Sequence, residues 1–214
     1  MIYLFTGTPG SGKSLDVARV IKNKLRAKQP VICNFPVNKK FVKNPDYFYF
    51  KGNDDLTVEY LVRFARNYFD GKRVKESSIT LVIDECQMLF NAREWNKSGR
   101  AVWNKFFQVH RHFGFDIVLI TQFDSMLDKQ LRALVEYEIV HRKVSNYGIK
   151  GYFIRLLMFA PVLFVRIKVW YPMKQKVSSE FLRANKNLFK LYDTYSLSFF
   201  DFDMDFDMDF DEEM

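Results

Sequence analysis

The chain has 214 residues, 48% of them hydrophobic and 27% charged, which is ordinary for a globular protein of one large domain, alone or with a small appendage. The net charge is +8, but the last fourteen residues hold eight acids and no base, so the first 200 carry 33 bases against 17 acids. So basic a body implies a polyanionic partner, nucleic acid or an anionic membrane surface. The only cysteines, Cys33 and Cys86, lie in apolar stretches and exclude a disulfide framework.

Met1–Thr6 (MIYLFT) is a short apolar run suited to a buried parallel strand. A glycine-rich loop follows. Leu15, Ala18, Ile21 and Leu25 then recur at spacings of three and four, predicting an amphipathic helix from Ser14 to about Ala27 that Pro30 closes. Val31–Phe35 reads as a second strand and YFYF near Tyr47 as an edge strand. Leu56 to about Phe69 is helical, with Asp70-Gly71 as its stop. Ile79–Glu85 is a strand ending in two acids, Gly99 to about His112 a helix, and Asp116–Gln122 a buried strand. Asp124–Leu134 reads as a helix and Glu136–Lys143 alternates like a strand. This alternation predicts an α/β fold, a mostly parallel sheet covered by helices.

Beyond it, Tyr152–Tyr171 reads as added antiparallel strands. Its apolar run Leu156–Val165 (LLMFAPVLFV) is too short to span a bilayer and contains Pro161. Residues 1–197 then form the folded domain, with a β extension at about 150–175. Residues 198–214 form an acidic tail alternating Asp with Phe or Met, expected to be disordered.

Gly7-Thr8-Pro9-Gly10-Ser11-Gly12-Lys13-Ser14 fits G-x-x-x-x-G-K-[ST] at every constrained position. Glycines let successive backbone N–H groups turn around phosphate oxygens, and the new helix adds its positive dipole end. Lys13 is placed to neutralise the β/γ oxygens of a nucleoside triphosphate, and the Ser14 hydroxyl to bind Mg²⁺. The strand LVIDE delivers Asp84 to the carboxyl edge of the sheet, where it can hold Mg²⁺ through water. Glu85, next to it, can polarise the attacking water. Gln122, ending a strand on the same edge, can sense the γ-phosphate or orient water, with Thr121 as a weaker candidate. An arginine finger from a neighbouring subunit is a common further element. Arg93 and Arg100 lie early in their crossover, whereas Arg111 should fall at the far side of the sheet. The loop starts at residue 7, leaving no room for a secretory signal, so a cytoplasmic setting is expected.

Taken together, GTPGSGKS, LVIDECQMLF, VHRHFGFDIVLITQ, LVEYEIVHRK and KVSSEFLRANKNLFKLYDTYSL resemble the zonula occludens toxin (Zot) family, the NTPase domain of filamentous-phage morphogenesis proteins. The resemblance spans about Met1–Leu197. It implies a P-loop NTPase of the additional-strand, catalytic-glutamate type, with ATP and Mg²⁺ as ligands. It also implies a protein that helps assemble and extrude single-stranded DNA phage at the inner membrane of an infected bacterium, and the arginine-finger chemistry adds the expectation of a homo-oligomer. The partners so implied are ssDNA, coat and export proteins and the anionic leaflet, contacted peripherally, since no segment of this chain reads as a transmembrane helix. The implied roles fall on Lys13, Ser14, Asp84, Glu85 and Gln122. Two other readings share most of these residues: a nucleotide-gated scaffold that does not turn over, and another DNA-translocating or packaging ATPase.

Overall fold

The computed structural model describes residues 1–94, 99–159 and 162–192. Apolar residues at alternate strand positions divide between two cores, one on each face of a single sheet. Ile2, Leu4, Ile79, Leu81, Ile83, Ile117 and Leu119 enter one core, and Phe5, Val82, Val118 and Ile120 enter the other. A sheet buried on both faces requires helices on both, and the connections supply them.

The strands are β1 (Ile2–Thr6), β2 (Val31–Cys33), β3 (Phe48–Phe50), β4 (Ile79–Ile83), β5 (Phe115–Ile120), β6 (Tyr137–Lys143), β7 (Leu163–Trp170) and β8 (Gln175–Arg183). They are ordered β3-β2-β4-β5-β1-β6-β7-β8. The first six are parallel, and β7 and β8 close the sheet as antiparallel neighbours. Strand β5 stands between β1 and β4, which is the additional-strand arrangement. It sets the end of β5 between the glycine-rich loop after β1 and the acids after β4.

Helix α1 (Lys13–Arg26) covers one face through Leu15, Ala18, Ile21 and Leu25. Helices α2 (Val58–Phe69), α3 (Arg100–Val109) and α4 (Lys129–Leu134) cover the other. Thr57 caps α2 by accepting the Tyr60 N–H at 3.2 Å. The stretch expected as one helix over Asp124–Leu134 divides, because Asp128 accepts the Gln130 N–H at 2.7 Å and starts α4 afresh after a single 3₁₀ turn. Cys33 and Cys86 are free and buried, and burial pushes both thiols up.

The C-terminal extension differs from the expectation in its bounds. The antiparallel pair is β7 and β8, reaching Arg183, and the residues before it form α5 (Gly148–Leu157). Ile149, Tyr152, Phe153 and Leu156 repeat at i, i+3, i+4 and i+7, a helical period that the strand reading overlooked. A last turn, α6 (Lys186–Phe189), packs on α1. Pro161 and the acidic tail at 198–214 lie outside the described residues.

Candidate phosphate-loop site

The loop after β1 is held from beneath. Gly7 N–H donates to the Gln122 carbonyl at 3.2 Å, and Thr121 N–H to the Phe5 carbonyl at 3.1 Å, which ties the ends of β1 and β5 together. A Cβ on Gly7 would lie 2.5 Å from the His141 carbonyl oxygen and 2.6 Å from Ser11 Oγ. Gly12, at φ +99°, starts α1 from the left-handed region, and a Cβ there would lie 2.7 Å from the Phe164 ring. Glycine is thus required at both ends of the loop, by contact as well as by conformation.

Lys13 Nζ donates to the Gly7 carbonyl at 2.6 Å and lies 3.3 Å from that of Thr8, so the ammonium is folded back over the loop. Burial holds its pKa below the ordinary lysine value, against the opposing pull of Glu85 and Asp84. Ser11 Oγ is buried and has no hydrogen-bond partner among the described residues. A cavity of about 220 Å³ opens over the loop, lined by Ser11, Lys13, Ser14, Phe164, Leu188 and Tyr192.

Asp84 follows β4 and is buried. Its Oδ1 accepts the Glu85 N–H at 2.8 Å and its Oδ2 accepts the Tyr192 hydroxyl. Its backbone is clamped by Asn34, which donates to the Asp84 carbonyl at 2.9 Å and accepts its N–H at 2.7 Å. Burial raises the Asp84 pKa, and the bonds from Tyr192 and the Glu85 N–H oppose the rise. Burial and the Asp84 charge in turn push the Tyr192 phenol up. Glu85 sits at φ 43°, ψ 46°, a left-handed conformation unusual for a non-glycine residue, and its carboxylate accepts from Gln87 Nε2. The backbone therefore turns sharply at Glu85, directly after Asp84.

Gln122 lies beside Gly7 and Thr8 in a second cavity of about 380 Å³ that His141 and Asn146 also line. Thr121 is buried under it and lies 3.3 Å from the Phe123 carbonyl. The three arginines separate clearly. Arg111 pairs with Glu136 at 2.6 Å, and Glu136 accepts the Ile2 N–H, so this pair marks the edge of the sheet opposite the loop. Arg100 is buried, with its guanidinium 5.2 Å from the Phe90 ring centroid. Arg93 is exposed, beyond the end of β4.

A buried charge cluster below the loop has no counterpart in the motif reading. Asp16 Oδ1 lies 2.8 Å from Arg19, and Oδ2 lies 3.0 Å from His141 Nε2 and 3.5 Å from Arg166 Nε. The other His141 nitrogen is 3.2 Å from the Thr6 carbonyl. Burial raises the Asp16 carboxyl, but the His141 bond and the charges of His141, Arg166 and Arg19 outweigh it and hold the group below its ordinary value. His141 thus joins the last residue of β1 to the first turn of α1, bracketing the loop. Spacing alone does not single out Tyr192 or Asn34, although Tyr192 falls in the quoted stretch ending KLYDTYSL and Asn34 in the strand reading Val31–Phe35.

Residues 1–198 match the family model described as Zonular occludens toxin (Zot). Among curated proteins, the Gene 1 protein of Enterobacteria phage M13 is 27% identical over 208 residues, covering 90% of this chain and 59% of that protein. The Gene 1 protein of Escherichia phage If1 is 29% identical over 157 residues, covering 69% and 43%. The chain thus spans a little over half the length of the M13 relative. Among solved structures, the N-terminal domain of zonular occludens toxin from Neisseria meningitidis aligns with TM-score 0.51 at 22% identity, over 89% of this chain and 97% of that one. The genome-packaging NTPase B204 of Sulfolobus turreted icosahedral virus 2, solved with ATP-gammaS, aligns with TM-score 0.53 at 12% identity, over 86% and 97%. At these identities the structural matches speak for the fold.

Proposed function

The chain belongs to the Zonular occludens toxin (Zot) family and has a P-loop NTPase fold, and from that premise we propose that it binds and hydrolyses ATP to drive filamentous-phage assembly and the export of single-stranded DNA virions at the host inner membrane. The observation that carries the reading is the convergence at one sheet edge of Lys13, folded over a loop with an unpartnered Ser11 hydroxyl, and the acids Asp84 and Glu85. Empty hydrogen-bonding capacity beside glycines that admit no Cβ suits phosphate oxygens.

In this reading the N–H groups of residues 8–14 donate to the phosphates, and Lys13 moves from the Gly7 and Thr8 carbonyls to the β/γ oxygens. Ser14 and Asp84 would hold Mg²⁺, which when bound would neutralise charge on the phosphates. Glu85 takes a proton from the attacking water, and the Gln122 amide orients that water beside Gly7. Tyr192 and Asn34 hold Asp84 from two sides. The basic body faces ssDNA or the anionic leaflet, and Arg93, exposed beyond the end of β4, serves a neighbouring subunit of a homo-oligomer. The Gene 1 relatives support the phage setting, and the B204 complex supports the choice of nucleotide.

The test is ATP turnover with and without ssDNA for the wild type and Lys13→Ala. The motor reading expects turnover that ssDNA or assembly partners raise and that Lys13→Ala abolishes. Nucleotide binding without turnover in the wild type would favour the gated scaffold instead.

A further inference from the structure

We propose that α5 is an interfacial helix that seats this domain on an anionic lipid surface. Ile149, Tyr152, Phe153, Leu156, Leu157 and Phe159 form a continuous apolar surface, with exposures from 59% at Leu156 to 93% at Phe159. The inner side of the helix is apolar as well. Gly151 lies against the Val144 carbonyl so closely that no side chain fits, and Ile154 and Met158 pack on Val144, Leu163 and Val165. The outer face of the helix is therefore apolar except for the exposed Lys150. An exposed patch of this kind on a folded domain marks an interaction site.

Charge selects the partner. From Ile139 to Val165 the chain carries four lysines and arginines and no acid. Lys150 and Arg155 are on the helix itself, and Arg142 and Lys143 are just before it. Large apolar residues amid lysines and arginines are the composition of helices that lie in the plane of an anionic bilayer. A second copy docking face to face would set the same basic surface against itself, which repels. Ile149, Leu156 and Leu157 offer no ring for a base to stack on, so nucleic acid would leave half of the patch unused. No helix among the described residues is long and apolar enough to cross a bilayer, and ten residues suit a helix lying along the surface. Because β6 is parallel to β1, α5 leaves the sheet at the edge that bears the phosphate loop. Lipid contact there is independent of whether the loop hydrolyses nucleotide.

The experiment is co-sedimentation of the full chain with vesicles of phosphatidylglycerol mixed with phosphatidylcholine, and with vesicles of phosphatidylcholine alone. The wild type is expected to bind the mixed vesicles preferentially, and less so as salt rises. The double variant Phe153→Ser, Leu157→Ser is expected to bind them at least about tenfold more weakly, because each side chain removes several buried carbons from the lipid. Both residues are exposed, so thermal unfolding and ATP binding should match the wild type. Equal vesicle binding by variant and wild type would overturn the proposal, as would a wild type that ignores the mixed vesicles. It would equally be overturned if the variant lost only oligomeric mass in light scattering, or only ssDNA affinity, with vesicle binding retained.

Discussion

The Tyr192 hydroxyl donates to Asp84 Oδ2 across 108 residues of chain, and both side chains are buried. Tyr192 also stacks on Phe35 at 4.1 Å, so the segment after β8 crosses over the strand ends and holds the acid that terminates β4. Tyr192→Phe keeps the ring and removes the donor. A hydrogen bond to a buried carboxylate contributes about 1.5–3 kcal/mol, and urea unfolding should show a loss of that size. With less support for its charge, Asp84 should also need more Mg²⁺ for half-maximal ATP binding. Wild-type values for both would make the contact incidental.

Asp16 gives the pH dependence. Its folded pKa is depressed, so its contribution to stability is full above its unfolded value and is lost as pH falls through the folded one. Asp16→Asn leaves His141, Arg19 and Arg166 without their shared anion. The cost at neutral pH should be about 3 kcal/mol, in the range for breaking a buried ion cluster. Stability curves of variant and wild type should converge as pH drops below about 4, the ordinary aspartate range. A gap that persisted into stronger acid would place the effect in packing rather than charge.

Gly12 carries two separable costs. Gly12→Ala meets the left-handed penalty, about 1–2 kcal/mol, and a collision with the Phe164 ring. Adding Phe164→Ala should restore part of the ATP affinity lost in Gly12→Ala but none of the backbone part. Isothermal titration of the single and double variants separates the two. No recovery at all would mean that conformation alone dictates the glycine.

Arg111 serves as a control for the site. It is partly exposed and paired with Glu136 at the opposite sheet edge, where such a pair is worth about 1 kcal/mol or less. Arg111→Ala should leave ATP turnover at the wild-type rate and shift the melting temperature only slightly. A collapse of turnover would mean that this edge meets the nucleotide of another subunit.

Most of the sheet was legible because buried parallel strands are written as short apolar runs, as at ITLVI and DIVLI, and because the loop's glycines recur at fixed spacing. Contacts that depend on tertiary closure were not legible. Nothing local in KLYDTY says that its first tyrosine reaches Asp84, or that His141 meets Asp16 125 residues away. The misreading at α5 has a different cause. Its bulky residues suit strands by composition, and only the i, i+3, i+4, i+7 period, weighed against composition, identifies a helix.

In the proposed mechanism the site hydrolyses ATP as well as holding it, with Glu85 as the base. The most direct measurement is ATP binding and single-turnover hydrolysis by Glu85→Gln beside the wild type. Because Gln keeps the shape and loses the base, affinity should stay within a few-fold while the rate falls about 10²–10⁴-fold. A variant that hydrolyses at the wild-type rate would contradict the account.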